Sequence, residues 1–463
     1  MGEGSILAHA QDNGGDKGVI NFSGDITREA NGTATLDLRA DHNFFINGYN
    51  ITATDSDSDN DGDPATDADS LNIIFNADRD SDEDGYLNIL NSTITTNGGY
   101  FVAGGGSGDI GGVDGILGNG DGTGADDIAA FAISSGDGIK FYSSSITTSG
   151  GDAILRGNAK GTGTDDGVDV STSEIISGGG RIILAGTSTG DSGNSAMGIA
   201  IAERGSSNYT FNSTGGNIEI SASSLNHYGL YLHSNTNITT LDGDITITAI
   251  SSSSTDFAIG ANPTHIIEST NGSITLSADE MHLNGASSIS AGDTLSIFTI
   301  DPTTTIGLGG GTGILDLSSF ELALLSAGNK IVIGEDRVQT GDMDVDLWDL
   351  SDTDFDVEFY ANDINLGGIT MGTGDILAHA QDNGGDDGWI TIDGNISRNV
   401  DGEATLDLRA DKGIVSTGGY SITAIDSNSD LDGDATTDAD SLTVIINANR
   451  DEIIGNDEGK IDL

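Results

Sequence analysis

Short runs in which apolar and polar residues alternate recur along the whole chain, each behind a turn of small residues. Examples are INGYNITA (Ile46–Ala53), TNGGYFVA (Thr96–Ala103), TSGGDAIL (Thr148–Leu155), SGGGRIILA (Ser177–Ala185) and STGGNIEISA (Ser213–Ala222). LDGDITITA (Leu241–Ala249), STNGSITLSA (Ser269–Ala278) and SAGDTLSIF (Ser290–Phe298) continue the series. A period of two is that of a strand buried on one face. Gly and Asn at the turns supply positive φ. The turn glycines are Gly48, Gly99, Gly151, Gly180, Gly216, Gly243, Gly272 and Gly292. The intervals from Gly48 to Gly99 and from Gly99 to Gly151 are far longer than those that follow. These two read as double steps, and the others as single coils of a parallel β-helix. No coil of this size buries its apolar face alone, and stacking gives each a neighbour above and below. The predicted fold is therefore all-β, a parallel β-helix (β-solenoid) with loop insertions.

One segment breaks the alternation. In LDLSSFELALLSAG (Leu315–Gly328), Leu317, Phe320, Leu324 and Leu325 have the spacing of an amphipathic face, and Gly328 is placed to cap it. A short helix within 315–328 is expected there. Downstream, acidic and apolar residues alternate again. Val345, Leu347, Phe355, Val357 and Phe359 are expected to face inward.

A longer period encloses the short one. Gly4–Asp41 matches Gly374–Asp411 at 26 of 38 positions, including ILAHAQDNGGD in both copies, and Gly48–Asp80 matches Gly419–Asp451 at 23 of 33. Residues 1–370 thus read as one full repeat and residues 371–463 as the start of the next. Met1 falls opposite Met371, inside GITMGTGD, so Met1 reads as an interior residue of a larger protein. Tandem units of this size suit fibres and stalks better than enzymes.

Composition narrows the function. The chain carries 74 acidic and 16 basic residues, a formal charge of −58. Such a surface repels nucleic acid and anionic lipid. The excess charge serves solubility or binds divalent cations. No apolar run approaches the roughly 20 residues of a membrane helix. Cys is absent, which a long stacked fold tolerates.

The tandem rungs resemble the filamentous-haemagglutinin type of secreted exoprotein. TIGLGGGTGILDLSSFELALLSAGNKIVIGEDR (Thr305–Arg337) resembles a module repeated in giant bacterial surface adhesins of that kind. The resemblance implies a right-handed β-helix, export to the cell surface, and a structural or adhesive role. The expected partners are neighbouring repeats or copies stacked end to end, with a glycan or cell-surface receptor as a further candidate.

Calcium is the candidate cofactor. Asp57, Asp59, Asp61 and Gly62 have the alternate carboxylates and turn glycine of an oxygen-rich calcium loop, with Asp63 beside them. The second repeat offers Asn428, Asp430, Asp432 and Asp434, and a further run has Asp80, Asp82 and Asp84 before Gly85. The competing reading is an acidic, solvated loop.

Other motifs carry less. Gly106, Gly108 and Gly111 spell GxGxxG, but no strand–helix unit surrounds them and Asp109 would repel a pyrophosphate. Asp126–Asp127 and Asp165–Asp166 are adjacent pairs, and neighbours in a strand point to opposite faces. A glycosidase needs two carboxyls facing one cleft. The Gly-His-Gly and Arg-Ile-Lys motifs of pectin-cleaving hydrolases, which share this architecture, have no match. His227 and His233 share strand parity but lack a third zinc ligand. His9 and His379, equivalent in the repeat, read as stacked or inward structural histidines. No catalytic residue is assigned, and an enzyme is the weakest of the three readings.

Overall fold

The computed structural model of the chain describes residues 1–13, 18–54, 69–80, 85–105, 130–132, 136–160, 165–190, 196–202, 209–253, 256–285, 287–382, 388–400, 402–424, 441–448 and 460–462. They are almost wholly β, and every strand pair described is parallel. They pack as two compact units. One comprises Met1–Gly272 with Leu283–Ser287, the other Ser273–His282 with Ser288–Leu463.

The first unit is a three-sided β-helix. Its longest strands form one sheet in the order Ile6–Ala10, Ala34–Ala40, Leu71–Ala77, Phe101–Gly105, Ala153–Ala159, Ile182–Ser188, Ile218–Ser224 and Ile245–Ser251. A second sheet runs from Ile20–Asn21 through Ile139–Tyr142 to Ile259–Ala261. A third runs from Ile26–Arg28 through Ser145–Thr147 to Ile266–Ser269. Each coil visits the three sheets in turn, so every strand pairs with its counterpart one coil on.

The alternation decides which side chains fill the interior. Phe101, Ala153, Ile182, Ile218 and Ile245 stand in one register column and are all fully buried. Phe44 stacks on Phe75 with ring centroids 4.5 Å apart, and Phe75 meets Phe101 edge-on at 5.4 Å. Full burial of such a side chain is worth roughly 1.5–3 kcal/mol, and the column repeats it at every coil.

The second unit uses the same long-strand sheet plan, from Ile274–Ser277 through Asp356–Ala361 and Ile376–Ala380 to Ser441–Ala448. In its strand Met343–Asp349 the alternation slips partway. Val345 is fully buried, Leu347 is 55% exposed, and Trp348 is buried again. Leu347 therefore lies exposed, against the alternation expected for it, because the parity slips where Asp346 and Leu347 are exposed in succession. Val345, Phe355, Val357 and Phe359 are buried as expected.

The helix is one turn, Ser319–Leu322, closed by a capping box between Ser318 and Glu321. Phe320, expected on a buried face, is 57% exposed. Leu315–Leu317 and Leu325–Ala327 are strands, so the segment is a coil corner. Gly328 does not cap this helix, whose C-cap is Ala323. A Cβ on Gly328 would lie 2.1 Å from the Gly292 carbonyl oxygen.

The double-step intervals are corrected too. Phe101 pairs directly with Ala153, so the whole stretch between them makes one coil. Gly48 lies before Ile51–Ala53 of the third sheet, a different corner from that of Gly99.

The two copies of the long repeat fold alike. Ile6 pairs with Leu36 and Ile376 with Leu406, and the two registers run in step from there to Ala40 and Ala410. Arg28 stands opposite Ala53, and Arg398 opposite Ala424. Both arginines are fully buried. Small residues one coil on leave them room, and their guanidinium groups reach carbonyls of Asn31 and Gly372, respectively.

Candidate functional site

The feature that recurs most regularly is a corner of the first unit. There a Ser or Thr stands three positions before a glycine: Thr96/Gly99, Thr148/Gly151, Ser177/Gly180, Ser213/Gly216, Thr240/Gly243 and Ser269/Gly272. All six hydroxyl side chains are buried. Ser177 Oγ donates to the Gly180 carbonyl at 2.6 Å, and Ser213 Oγ donates to the same carbonyl from the next coil at 3.0 Å. Ser213 Oγ also accepts from the Gly216 N–H at 2.8 Å. Thr240 Oγ1 donates to the Gly216 carbonyl at 3.2 Å and accepts from the Gly243 N–H at 3.1 Å. Ser269 Oγ repeats this with the Gly243 carbonyl at 2.7 Å and the Gly272 N–H at 3.0 Å. Each of these three hydroxyls thus ties its coil to the one before it. Buried backbone groups left without partners are costly, and this column supplies them.

The corner glycines are needed for closeness, while the positive φ expected of Gly and Asn at the turns is met at Gly48 and at residues beside the corner glycines. A Cβ on Gly151, Gly180, Gly216 or Gly243 would lie 2.0–2.1 Å from the carbonyl oxygen of the corner glycine one coil back. The positive φ falls on their neighbours instead, at Asn97, Gly98, Ser149, Gly150 and Gly178. Backbone therefore stacks directly on backbone at this corner.

Acidic and amide side chains make a second set of links between coils. Asp152 Oδ1 accepts from the Arg181 N–H at 2.8 Å, Asn217 Oδ1 from Asp244 at 3.0 Å, and Asp375 Oδ1 from Thr405 at 2.6 Å. Asp41 accepts from the Asp12 N–H at 2.9 Å and meets His9 Nε2 at 2.5 Å. Asp411 does the same with Asp382 at 3.1 Å and His379 at 3.5 Å. His9 is outward-facing rather than inward: it lies in the exposed part of strand Ile6–Ala10 and reaches the next coil. Part of the acid excess thus works as acceptor for backbone N–H groups, a use that composition alone conceals.

The most perturbed ionisable cluster surrounds Lys140. Its Nζ lies 2.7 Å from both Asp137 and Asp169, one on its own coil and one on the next. Burial disfavours the ammonium, but the two carboxylates outweigh burial and raise its pKa. Burial raises the pKa of Asp137, and the Asp169 charge adds to this. Asp166 is pushed well up by burial and then by Asp137. Asp137 Oδ1 accepts from the Asp166 N–H at 2.9 Å, and Asp166 Oδ1 from the Met197 N–H at 2.7 Å. These carboxylates clamp successive coils, and no pair of them is poised across a cleft. The pair Asp126–Asp127 lies outside the described residues.

The calcium candidates Asp57, Asp59, Asp61, Asp63, Asn428, Asp430, Asp432, Asp434, Asp82 and Asp84 lie outside the described residues, as do Gly106, Gly108 and Gly111. Asp80 lies in the turn after Leu71–Ala77. Among the described residues no three His, Asp or Glu side chains are grouped to hold a metal.

Two cavities are polar. One of about 460 Å³ is lined by the stacked triplets Asn91–Thr93, Ser143–Ser145 and Thr172–Glu174. The other, about 420 Å³, includes Asp342, Asp344 and Asp363. Asp344 is engaged by Thr312 and Asn365, and Asp363 by the Gly388 and Trp389 N–H groups.

His227 and His233 flank the strand Leu230–Leu232 rather than sharing it, and the rings of Tyr228 and Tyr231 link theirs in a chain of contacts. His265 is the outlier among the histidines. It is 2% exposed, and neither ring nitrogen has a hydrogen-bond partner among the described residues. Burial lowers its pKa to about 4, outweighing the nearby His233 backbone.

Comparison with protein-family models, with curated proteins and with solved structures finds no match for this chain.

Proposed function

We propose that this chain is a non-catalytic, load-bearing segment of a large repetitive protein on the cell surface, forming part of a fibre or stalk with an adhesive role. The observation that carries this reading is the hydroxyl–glycine corner, which links every coil from Thr96 to Ser269 to its neighbour inside the core. Parallel ladders, corner hydroxyls and aspartate acceptors all run between coils, so tension along the stack is shared by many bonds at once. The repeat copies support the same reading, since they preserve links such as His9–Asp41 and His379–Asp411. In this reading the acidic loops at 55–69 and 426–440 take up calcium and stiffen the coils that carry them.

Two measurements test it. Antibodies raised against the chain should label intact producing cells; labelling only after permeabilisation overturns the surface placement. Pulling single molecules by their two ends should give a rising series of coil-sized steps. Extension at negligible force would refute load bearing.

A further inference from the structure

The segment His227–His233 reads HYGLYLH and gathers two of the nine tyrosines and two of the seven histidines of the chain. Leu230 and Leu232 point into the core and are fully buried, which turns Tyr231 outward on the second sheet. The rings form a continuous row. His227 and Tyr228 have centroids 4.6 Å apart, Tyr228 and Tyr231 5.0 Å, and Tyr231 and His233 6.1 Å. All four are half-buried.

The neighbouring coils make room for this row. Tyr231 stands between Ala200 and Gly260 in register, the two smallest side chains available. A Cβ on Gly260 would sit 2.4 Å from Tyr228 Cε1, so only glycine lets that ring lie against the sheet. The edge of the row is polar. Asn262 Nδ2 donates to Tyr231 Oη at 2.6 Å, and Asp256 Oδ1 lies 3.9 Å from His227 Nε2.

We propose that the row His227–Tyr228–Tyr231–His233, edged by Asn262 and Asp256, is a contact platform for a neutral polysaccharide. A pyranose ring presents an apolar C–H face and a rim of hydroxyls. Tyrosine matches this with an apolar ring and a polar tip, and an amide and a carboxylate at the rim supply both donor and acceptor. The formal charge of −58 repels uronates and sulfated sugars and leaves neutral chains as ligands. The platform goes beyond the load-bearing role and does not depend on it.

Affinity electrophoresis of the full chain tests the proposal, in gels containing galactomannan, xyloglucan, laminarin or polygalacturonate. At least one of the three neutral polysaccharides should retard the chain, and polygalacturonate should not. Tyr231→Ala and Tyr228→Ala should each weaken that retardation about tenfold, the loss expected of a central aromatic contact. Tyr231→Phe, which keeps the ring and loses only its hydroxyl, should retain most of the binding. Melting temperatures of the variants should match that of the parent chain, because the rings face outward. If a variant unfolds, nitration of the tyrosines in the folded parent chain replaces it and should abolish retardation. Absence of retardation in all three neutral gels, or retardation undiminished in Tyr231→Ala, would overturn the proposal.

Discussion

Thr240→Val is the sharpest probe of the corner. Valine keeps the shape of threonine, so it opens no cavity and isolates the hydroxyl. Thr240 is 2% exposed, and its Oγ1 serves two backbone groups, the Gly216 carbonyl at 3.2 Å and the Gly243 N–H at 3.1 Å. Each buried backbone group that loses its partner costs about 1–3 kcal/mol. The expected destabilisation is therefore roughly 2–6 kcal/mol, or about 30- to 20,000-fold in a local opening equilibrium. The two tryptophans, Trp348 and Trp389, lie in the second unit, so fluorescence is a poor reporter for this site. Native-state hydrogen exchange of the segment 236–251 reads it directly. The exposed neighbour Thr246 provides the control, since Thr246→Val should leave protection unchanged. Protection within threefold of the parent chain in Thr240→Val would refute the argument that the hydroxyl holds the coils together.

Three further outcomes follow from the same structure. The His265 pKa is lowered to about 4 by burial. The unfolded chain therefore takes up the proton first, and stability should fall between about pH 6.5 and pH 4, by no more than about 3 kcal/mol. His265→Asn should flatten that part of a pH–melting curve, and an unchanged curve would count against the buried neutral histidine. Asp166 is shifted the opposite way. Its contribution is greatest below its ordinary value of 3.8 and is lost as pH rises through its folded pKa. Asp166→Asn, which retains an acceptor for the Met197 N–H, should raise the melting temperature at neutral pH and lose that advantage in acid; a lower melting temperature at neutral pH would contradict the shift. Removing calcium with EGTA should lower the melting temperature if the loops around Asp57–Asp63 and Asn428–Asp434 hold the ion, and identical melting curves would remove the site.

Much of the architecture was legible in the alternation. Ile218, Ile220 and Ala222 face inward between Glu219 and Ser221 as a period of two requires. What stayed hidden depends on register between coils. Gly180 looks like any turn glycine until Gly151, one coil behind it, is known to lie directly against it. The serines and threonines at the corner do not stand out, because one hydroxyl in a Ser/Thr-rich chain carries no signal. Their signal was the constant spacing of three to the glycine, which only matters once the carbonyl it serves is placed. Leu347 shows the converse failure. Local alternation predicts burial there, but between Val345 and Trp348 two successive residues are exposed and parity reverses. The HAQDN copies carried identity without explanation until His9 and Asp12 were seen to share Asp41.

The pairing of Phe101 with Ala153 has a wider reach. Far more residues separate those two positions than separate Ala153 from Ile182, yet both pairs of rungs meet in step. Chain length per turn is thus uncoupled from alignment. A column built this way can take up turns of very unequal chain length and still keep each rung aligned with the next.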